Sequence, residues 1–219
     1  INHTYNNIQH IIVEDGGNTM LPLVNKIQKI YGLPYQLLYK DLPKKGRSYA
    51  GNTALSMAKG KYVMFLDDDD LLYPDHVETL MSELVDSNYA AAYSLAWEVA
   101  SDVEGNGEAL KYTEYEYHLP NNYRQEFSRE KLLTSNYIPI QSIIFKRELY
   151  EQLGGFDETM DYLEDWNLWT KYGCKYEFMY IPKTTSLYRV PYSPLEKANR
   201  KIFIDAAYKV AREKQKHLL

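Results

Sequence analysis

At 219 residues, 45% hydrophobic and 25% charged, the chain has the length and composition of one globular domain with a substantial core. A formal net charge of −5 argues against a general phosphate-backbone binder, so no nucleic-acid partner is expected. The single cysteine, Cys174, excludes an internal disulfide framework and a cysteine-rich zinc site, and no apolar run is long enough to span a bilayer.

His10 to Glu14 is a compact apolar run ending in Asp15-Gly16-Gly17, which predicts a buried strand and a turn. Met20 to Tyr31 carries Leu21, Val24, Ile27 and Ile30 at helical spacing, stopped by Gly32. Tyr35 to Lys40 reads as a second strand. Ser48 to Lys59 reads as a helix with Ala50, Ala54, Met57 and Ala58 on one face and Gly60 as its stop. Tyr62 to Leu66 reads as a short buried strand running into Asp67, Asp68, Asp69 and Asp70. A helix from Pro74 to Asp86 follows, with Val77, Leu80, Met81, Leu84 and Val85 as its buried stripe.

Tyr89 to Ala100 predicts another strand, and Val103 to Tyr123, with its Gly105-x-Gly107 turn, an inserted hairpin. Gln141 to Phe145 reads as a strand, Arg147 to Leu153 as a short helix ended by Gly154-Gly155, and Leu163 to Tyr172 as a helix. Strands near Tyr176–Ile181 and Thr185–Arg189 follow, then an amphipathic helix from Leu195 to the end. Strand–helix alternation over the first hundred residues predicts an α/β fold with a mainly parallel sheet and helices on both faces, as one domain over residues 1–219.

The acidic cluster invites a chemical reading. Four carboxylates at a strand's C-terminal end repel one another unless a cation joins them or water screens them. That end is also where open α/β sheets hold ligands, so a divalent metal with hard oxygen ligands is one reading. A solvated loop before a helix is the other, and the run alone leaves both open. The 22 tyrosines suit binding clefts and half-buried surfaces equally.

Several segments, in order, resemble the family 2 glycosyltransferases, inverting nucleotide-sugar transferases of GT-A fold. HIIVEDGG resembles the strand ending in an Asp-Asp-Gly-Ser motif. KGRSYAGNTALSMAKGKYVMFLDDDDLLYPDHVETL resembles the helix, strand and DXD stretch. QSIIFKRELYEQLGGFDE, YLEDWNLWTKYG and LYRV resemble the Gly-Gly-Phe-Asp turn, the Glu-Asp catalytic helix and a late strand. The resemblance implies that Asp15 contacts the nucleotide base, that Asp67 approaches ribose and metal, and that Asp69 binds Mg²⁺ or Mn²⁺ with Asp70 behind it. It makes Asp165 the base that takes the acceptor proton and Glu164 a positioning or acceptor-binding group. Arg47, beside a helix start, is a candidate for the anionic nucleotide. Gly155 and Phe156 would shape the loop beneath the donor sugar, although a helix cap explains the glycines as well. Trp166 and Trp169, three apart on one helix, offer rings for sugar stacking or for the core.

The implied reaction moves a sugar from a nucleoside diphosphate, most often UDP, to a saccharide or lipid-linked hydroxyl. Bacterial members of the family suggest cell-surface polysaccharide assembly at the cytoplasmic face of a membrane. The C-terminal helix at residues 195–219, with Lys209, Arg212, Lys214 and Lys216, is either a peripheral membrane contact or a solvated face. Departures are equally legible. The family's opening strand has no counterpart, which predicts a fragment with an open slot in the sheet. Glu14 and Gly17 replace an Asp and a Ser, Gly51 replaces an Arg, and Pro191 stands where a His is frequent. A catalytically silent GT-A-like binding domain and a sugar nucleotidyltransferase are the alternative readings.

Overall fold

Two β-sheets carry the fold, and the acidic loop runs across the end of the larger one. The computed structural model describes residues 3–17, 20–31, 36–105, 110–160 and 162–218, side chains 30, 31 and 36 excepted. Gly32, Tyr35 and Gly107, named above, lie outside the described residues. Strand β1 (Gln9–Asp15) pairs in parallel with β2 (Gln36–Leu42) as a two-stranded sheet. Helix α1 (Leu21–Tyr31) joins them, and α2 (Arg47–Met57) follows.

The larger sheet contains β3 (Tyr62–Val63), β4 (Leu71–Leu72), β5 (Ala91–Glu104), β6 (Lys111–His118), β7 (Ile143–Lys146) and β8 (Phe178–Pro191). Its order is β3-β7-β5-β8-β4, with β6 paired to the far end of β5. Only β5 and β8 are parallel in it; β3–β7, β7–β5, β8–β4 and β5–β6 are antiparallel. The expected mainly parallel sheet is therefore a mixed one. Only β5–β6 is a hairpin, joined through a short connection; β3, β4 and β7 join the sheet antiparallel through long connections that carry other elements between the partners.

Helix α3 (His76–Leu84) covers one face; α5 (Glu148–Leu153) and α6 (Glu164–Gly173) cover the other. Period-two alternation in the strands sorts the side chains. Ala92, Ile144 and Ile181 join Val77, Leu80, Met81 and Leu84 of α3. Ala91, Ile143, Phe145 and Phe178 join Leu149, Trp166, Leu168 and Trp169. Each large side chain fully buried here contributes roughly 1.5–3 kcal/mol by removal from water. Val85, expected in the α3 stripe, is exposed just past the helix end. A short helix α4 (Arg129–Leu132) sits against α6, and α7 (Pro194–Gln215) closes the fold. Among the described residues no helix is long and apolar enough to cross a membrane.

Two strand expectations change. The strand expected over Tyr62–Leu66 is cut to β3, and Leu66 is exposed. Among the described residues β3 has a partner only in β7, while β1 pairs with β2 instead, so residues 64–66 have no ladder to join there. The two late strands merge into β8, with the register stepping from Ser94↔Ile181 to Leu95↔Thr184. Pro182 and Lys183 fall in that step, where a residue without an N–H is tolerated.

Candidate active site

β3 and β4 occupy opposite edges of the large sheet, so the chain between them crosses the ends of β7, β5 and β8. Asp67–Asp70 lie on that crossing, closed into a turn by the Asp70 N–H donating to the Asp67 carbonyl at 3.3 Å. One carboxylate oxygen each from Asp67, Asp69 and Asp70 lies within 4.8 Å of the others. Burial, then the charges of Asp69 and Asp67, push the Asp70 carboxyl up to about 7 despite its bond from the Arg189 N–H. Burial likewise raises Asp67, with Arg47 opposing. Three hard oxygen donors, crowded enough that Arg47 and Arg189 do not offset the rise of Asp67 and Asp70, fit a divalent cation. Asp68 is exposed.

Helix α6 brings the second pair of carboxylates. Its N-cap, Leu163, adopts φ 59°, a left-handed conformation that costs a β-carbon residue free energy and is held by the surrounding packing. Glu164 is buried, with Oε1 3.3 Å from Nη1 of Arg47. Burial and the charge of Asp165 push Glu164 up to about 7, against the pull of Arg47. Asp165 accepts a bond from Asn136 Nδ2 at 3.1 Å and one from the Trp166 N–H at 2.7 Å. Burial raises its pKa above the ordinary aspartate range in spite of both.

Arg47 unites these groups. It opens α2, and although burial works against its charge, Glu164, Asp67 and Asp165 together hold its pKa up. Gly46 just before it adopts φ 99°, ψ 158°, a conformation open to glycine alone. Asp15 fixes the same loop from β1: its two oxygens accept the Lys45 and Gly46 N–H groups at 2.7 and 2.9 Å. Arg47, Asp67, Glu164 and Asp165 thus share one cluster, and Asp15 borders it through the loop that carries Arg47.

The supporting residues divide. Gly155 lies so close to Asn52 that any β-carbon would collide with it, and Gly51 meets the Phe156 ring in the same way. Asn52 Oδ1 accepts the Phe156 N–H at 2.7 Å and Nδ2 donates to the Phe156 carbonyl at 3.0 Å. The Gly-Gly-Phe turn is thereby clamped to α2, which gives the Gly51 departure a packing reason. Phe156 is buried against Phe65 with ring centroids 4.9 Å apart. Trp166 and Trp169 are both 0% exposed, so neither offers a ring face to a sugar. Trp166 Nε1 donates to the Leu132 carbonyl at 2.6 Å and the ring stacks on Tyr208 of α7. Their role is the core.

Two residues that the motif reading left without a role stand in the site. Asn136 orients Asp165. Arg189 of β8 donates to the Asp69 carbonyl, pairs with Glu114 of β6 at 2.8 Å and lies 4.3 Å from the Tyr112 ring centroid. LYRV contained Arg189; Asn136 sits in a loop without any pattern. A cavity of about 270 Å³, lined by Lys59, Lys61, Lys146, Arg147, Glu148 and Glu151, opens at the start of β3 and holds none of the carboxylates of the acidic loop or of α6.

A family model described as "Glycosyltransferase like family 2" matches residues 2–216, and the chain belongs to that family. The chondroitin synthase of Pasteurella multocida (strain Pm70) is 30% identical over 187 residues, 84% of this chain and 18% of that protein. An uncharacterized glycosyltransferase of Bacillus subtilis (strain 168), YwdF, is 24% identical over 186 residues, 81% of this chain and 62% of its own length. The chain therefore spans less than two thirds of these curated relatives. Among solved structures, S. aureus TarS 1–349 in complex with UDP has a TM-score of 0.65 at 17% identity, covering 94% of this chain and 58% of that one. The mannosyltransferase PcManGT from Pyrobaculum calidifontis, in complex with GDP-Man and Mn²⁺, also scores 0.65 at 18% identity, covering 99% and 67%. At such identities these likenesses establish the fold, the GT-A fold expected from the motifs.

Proposed function

We propose that the chain is the catalytic domain of a metal-dependent, inverting glycosyltransferase. It moves a sugar from a nucleoside diphosphate, UDP by preference, to a hydroxyl of a saccharide or lipid-linked acceptor. The observation that carries this reading is the meeting of Arg47, Asp67, Glu164 and Asp165 beside a trio of carboxylates with oxygens within 4.8 Å.

Inversion requires attack from the side opposite the leaving group. The acceptor oxygen forms its bond to the anomeric carbon as the bond to the diphosphate breaks. The acceptor proton passes to the Asp165 carboxylate, and the electron pair leaves with the nucleoside diphosphate. A carboxylate with a raised pKa is the better base near neutrality. Asn136 holds one Asp165 oxygen in place, and Glu164 anchors Arg47, whose charge faces the anionic donor. Asp67 and Asp69, with Asp70 behind, would hold Mg²⁺ or Mn²⁺, which neutralises charge on the departing diphosphate when bound. Asp15 would meet the nucleotide base.

UDP in TarS and GDP-Man with Mn²⁺ in PcManGT support a nucleotide donor and a divalent ion. The chondroitin synthase relative supports a polysaccharide product, and assembly of a surface polysaccharide at the cytoplasmic face of a membrane is proposed from the sequence resemblance. Calorimetric titration of the intact protein with UDP and GDP, each with Mn²⁺ and with chelator, tests the reading. Metal-dependent binding of one nucleotide is expected. Metal-independent binding, or none to the intact protein, would return it to a silent fold.

A further inference from the structure

Helix α7 is apolar on two sides. On the inner side Ala211 is fully buried and the Tyr208 ring stacks on Trp166. On the outer side Leu195, Ile202, Phe203, Ala206 and Val210 recur at i, i+7, i+8, i+11 and i+15, a stripe about 100° wide on a 3.6-residue helix. Leu195, Ile202, Phe203 and Val210 are 71%, 67%, 55% and 47% exposed. Exposed Tyr162 widens the patch by stacking on Phe203, with ring centroids 5.7 Å apart and planes 10° from parallel. Single exposed apolar residues are ordinary, but a row of them running about 22 Å along one helix face marks a contact surface.

The charges around the stripe point to what covers it. Helix α7 and its C-cap Lys216 hold seven basic and three acidic residues, in a chain of net charge −5. Two of the acids are neutralised within the helix: Asp205 pairs with Lys201 at 3.1 Å and Glu213 with Lys216 at 2.6 Å. Among the described residues Lys197, Arg200 and Lys209 are held in no ion pair. Arg200 stands one turn before Phe203 and Lys209 one turn after Ala206, so free cations border the stripe on both sides. A second copy of the helix would set these cations against their like, with Glu196 as its one acid outside an ion pair among the described residues. A nucleic acid would meet the cations and leave the apolar row wet. An anionic bilayer satisfies both, because the row enters the boundary between head groups and acyl chains while the cation stems reach the phosphates.

We infer that α7 is an interfacial helix that docks the chain on an anionic phospholipid surface through its outer stripe. The inference goes beyond the transferase reading and stands without it. Glu196 and Arg200 line a cavity of about 180 Å³ together with Asp69, so a bilayer held by α7 lies close to the acidic loop. On the transferase reading, that is where a lipid-linked acceptor presents its hydroxyl.

Vesicle flotation of the intact protein tests the assignment, with phosphatidylcholine alone and with equimolar phosphatidylcholine and phosphatidylglycerol. One variant combines Leu195→Ser with Ile202→Ser, the other Arg200→Gln with Lys209→Gln, all at exposed positions. The wild type is expected to float with the anionic vesicles and to stay behind with the neutral ones. Each double variant should lower the partition coefficient about tenfold or more, with a melting temperature within about 2 °C of wild type. No flotation of the wild type, or flotation undiminished in either variant, overturns the assignment. A wild type that stays off vesicles and sediments as a dimer, made monomeric by the paired serine substitutions, gives the stripe to a second copy instead. Nucleotide, metal and sugar are absent from these readouts, so failure of the transferase reading leaves them unmoved.

Discussion

The base side of the site and the donor side are held by different means. Glu164 and Asp165 stand on α6, whose Trp166, Leu168 and Trp169 are fully buried and whose outer face is clasped by α7 through the Trp166–Tyr208 stack and Gln215. Asp15 stands on a two-stranded sheet that, among the described residues, has no ladder to the larger one. That sheet reaches the rest of the site through α2 and its loop. Ser48 Oγ donates to the Met160 carbonyl at 2.8 Å, Asn52 grips the Phe156 backbone, and the Lys59 N–H donates to Gln9 Oε1. The proposed base and global stability are therefore coupled on α6, whereas the proposed donor contact, Asp15, rests on a separately attached unit.

The largest effect tests that coupling. Trp166→Ala removes a fully buried ring and its bond to Leu132, at a cost of about 3–5 kcal/mol. Thermal denaturation should show a fall of about 10 °C for a chain of this size. A fall of only a degree or two would mean that α6 is not the anchor of the base side. Asp165→Asn sharpens the same point from the chemical side. It keeps a side chain able to bond Asn136 and should lower kcat by about a thousandfold, the usual worth of a general base, with UDP affinity unchanged. Retained turnover in a single-turnover assay would move the base elsewhere.

Glu164 gives a smaller, pH-dependent effect. Burial and Asp165 raise its pKa to about 7, so the folded chain holds a proton that the unfolded chain has released. That stabilisation is complete below the unfolded value near 4.5 and is lost as pH rises through 7, on the order of 3 kcal/mol at most. Melting temperature in chelator should fall from pH 5 to pH 8 in the wild type, and the slope should flatten in Glu164→Gln. A melting temperature that climbs over this window would show Glu164 ionised and stabilised by Arg47.

Much of the carboxylate cluster was legible because its signals are local. Four aspartates after an apolar strand, a Glu-Asp pair opening a helix and a Gly-Gly-Phe-Asp turn each lie within a few residues. The β3 boundary was not legible, since whether residues 64–66 continue a strand depends on a neighbour distant in sequence. The tryptophans show the same limit: spacing puts Trp166 and Trp169 on one side of a helix, but only packing decides that this side meets the core. Arg189 gains its role because β8 pairs with β4, which brings its side chain against the acidic loop. Glu114 and Tyr112 reach that arginine through the hairpin. No spacing rule in the linear chain encodes such a meeting.

Asp15→Ala tests the donor side with the smallest expected effect on stability, about 1 kcal/mol, because the amides it releases lie in a solvent-accessible loop. Its meaning lies in nucleotide selectivity. If Asp15 touches the base, its loss weakens the preferred nucleotide and narrows the difference between UDP and GDP. If Asp15 serves only to hold Lys45, Gly46 and hence Arg47, both nucleotides weaken by the same factor, since Arg47 faces the phosphates that they share. The first outcome is expected from the sequence resemblance, while the bonds to Lys45 and Gly46 already account for both carboxylate oxygens. Parallel titrations of UDP and GDP with Asp15→Ala and Asp15→Asn therefore decide whether the small sheet reads the nucleotide or only positions the arginine that does.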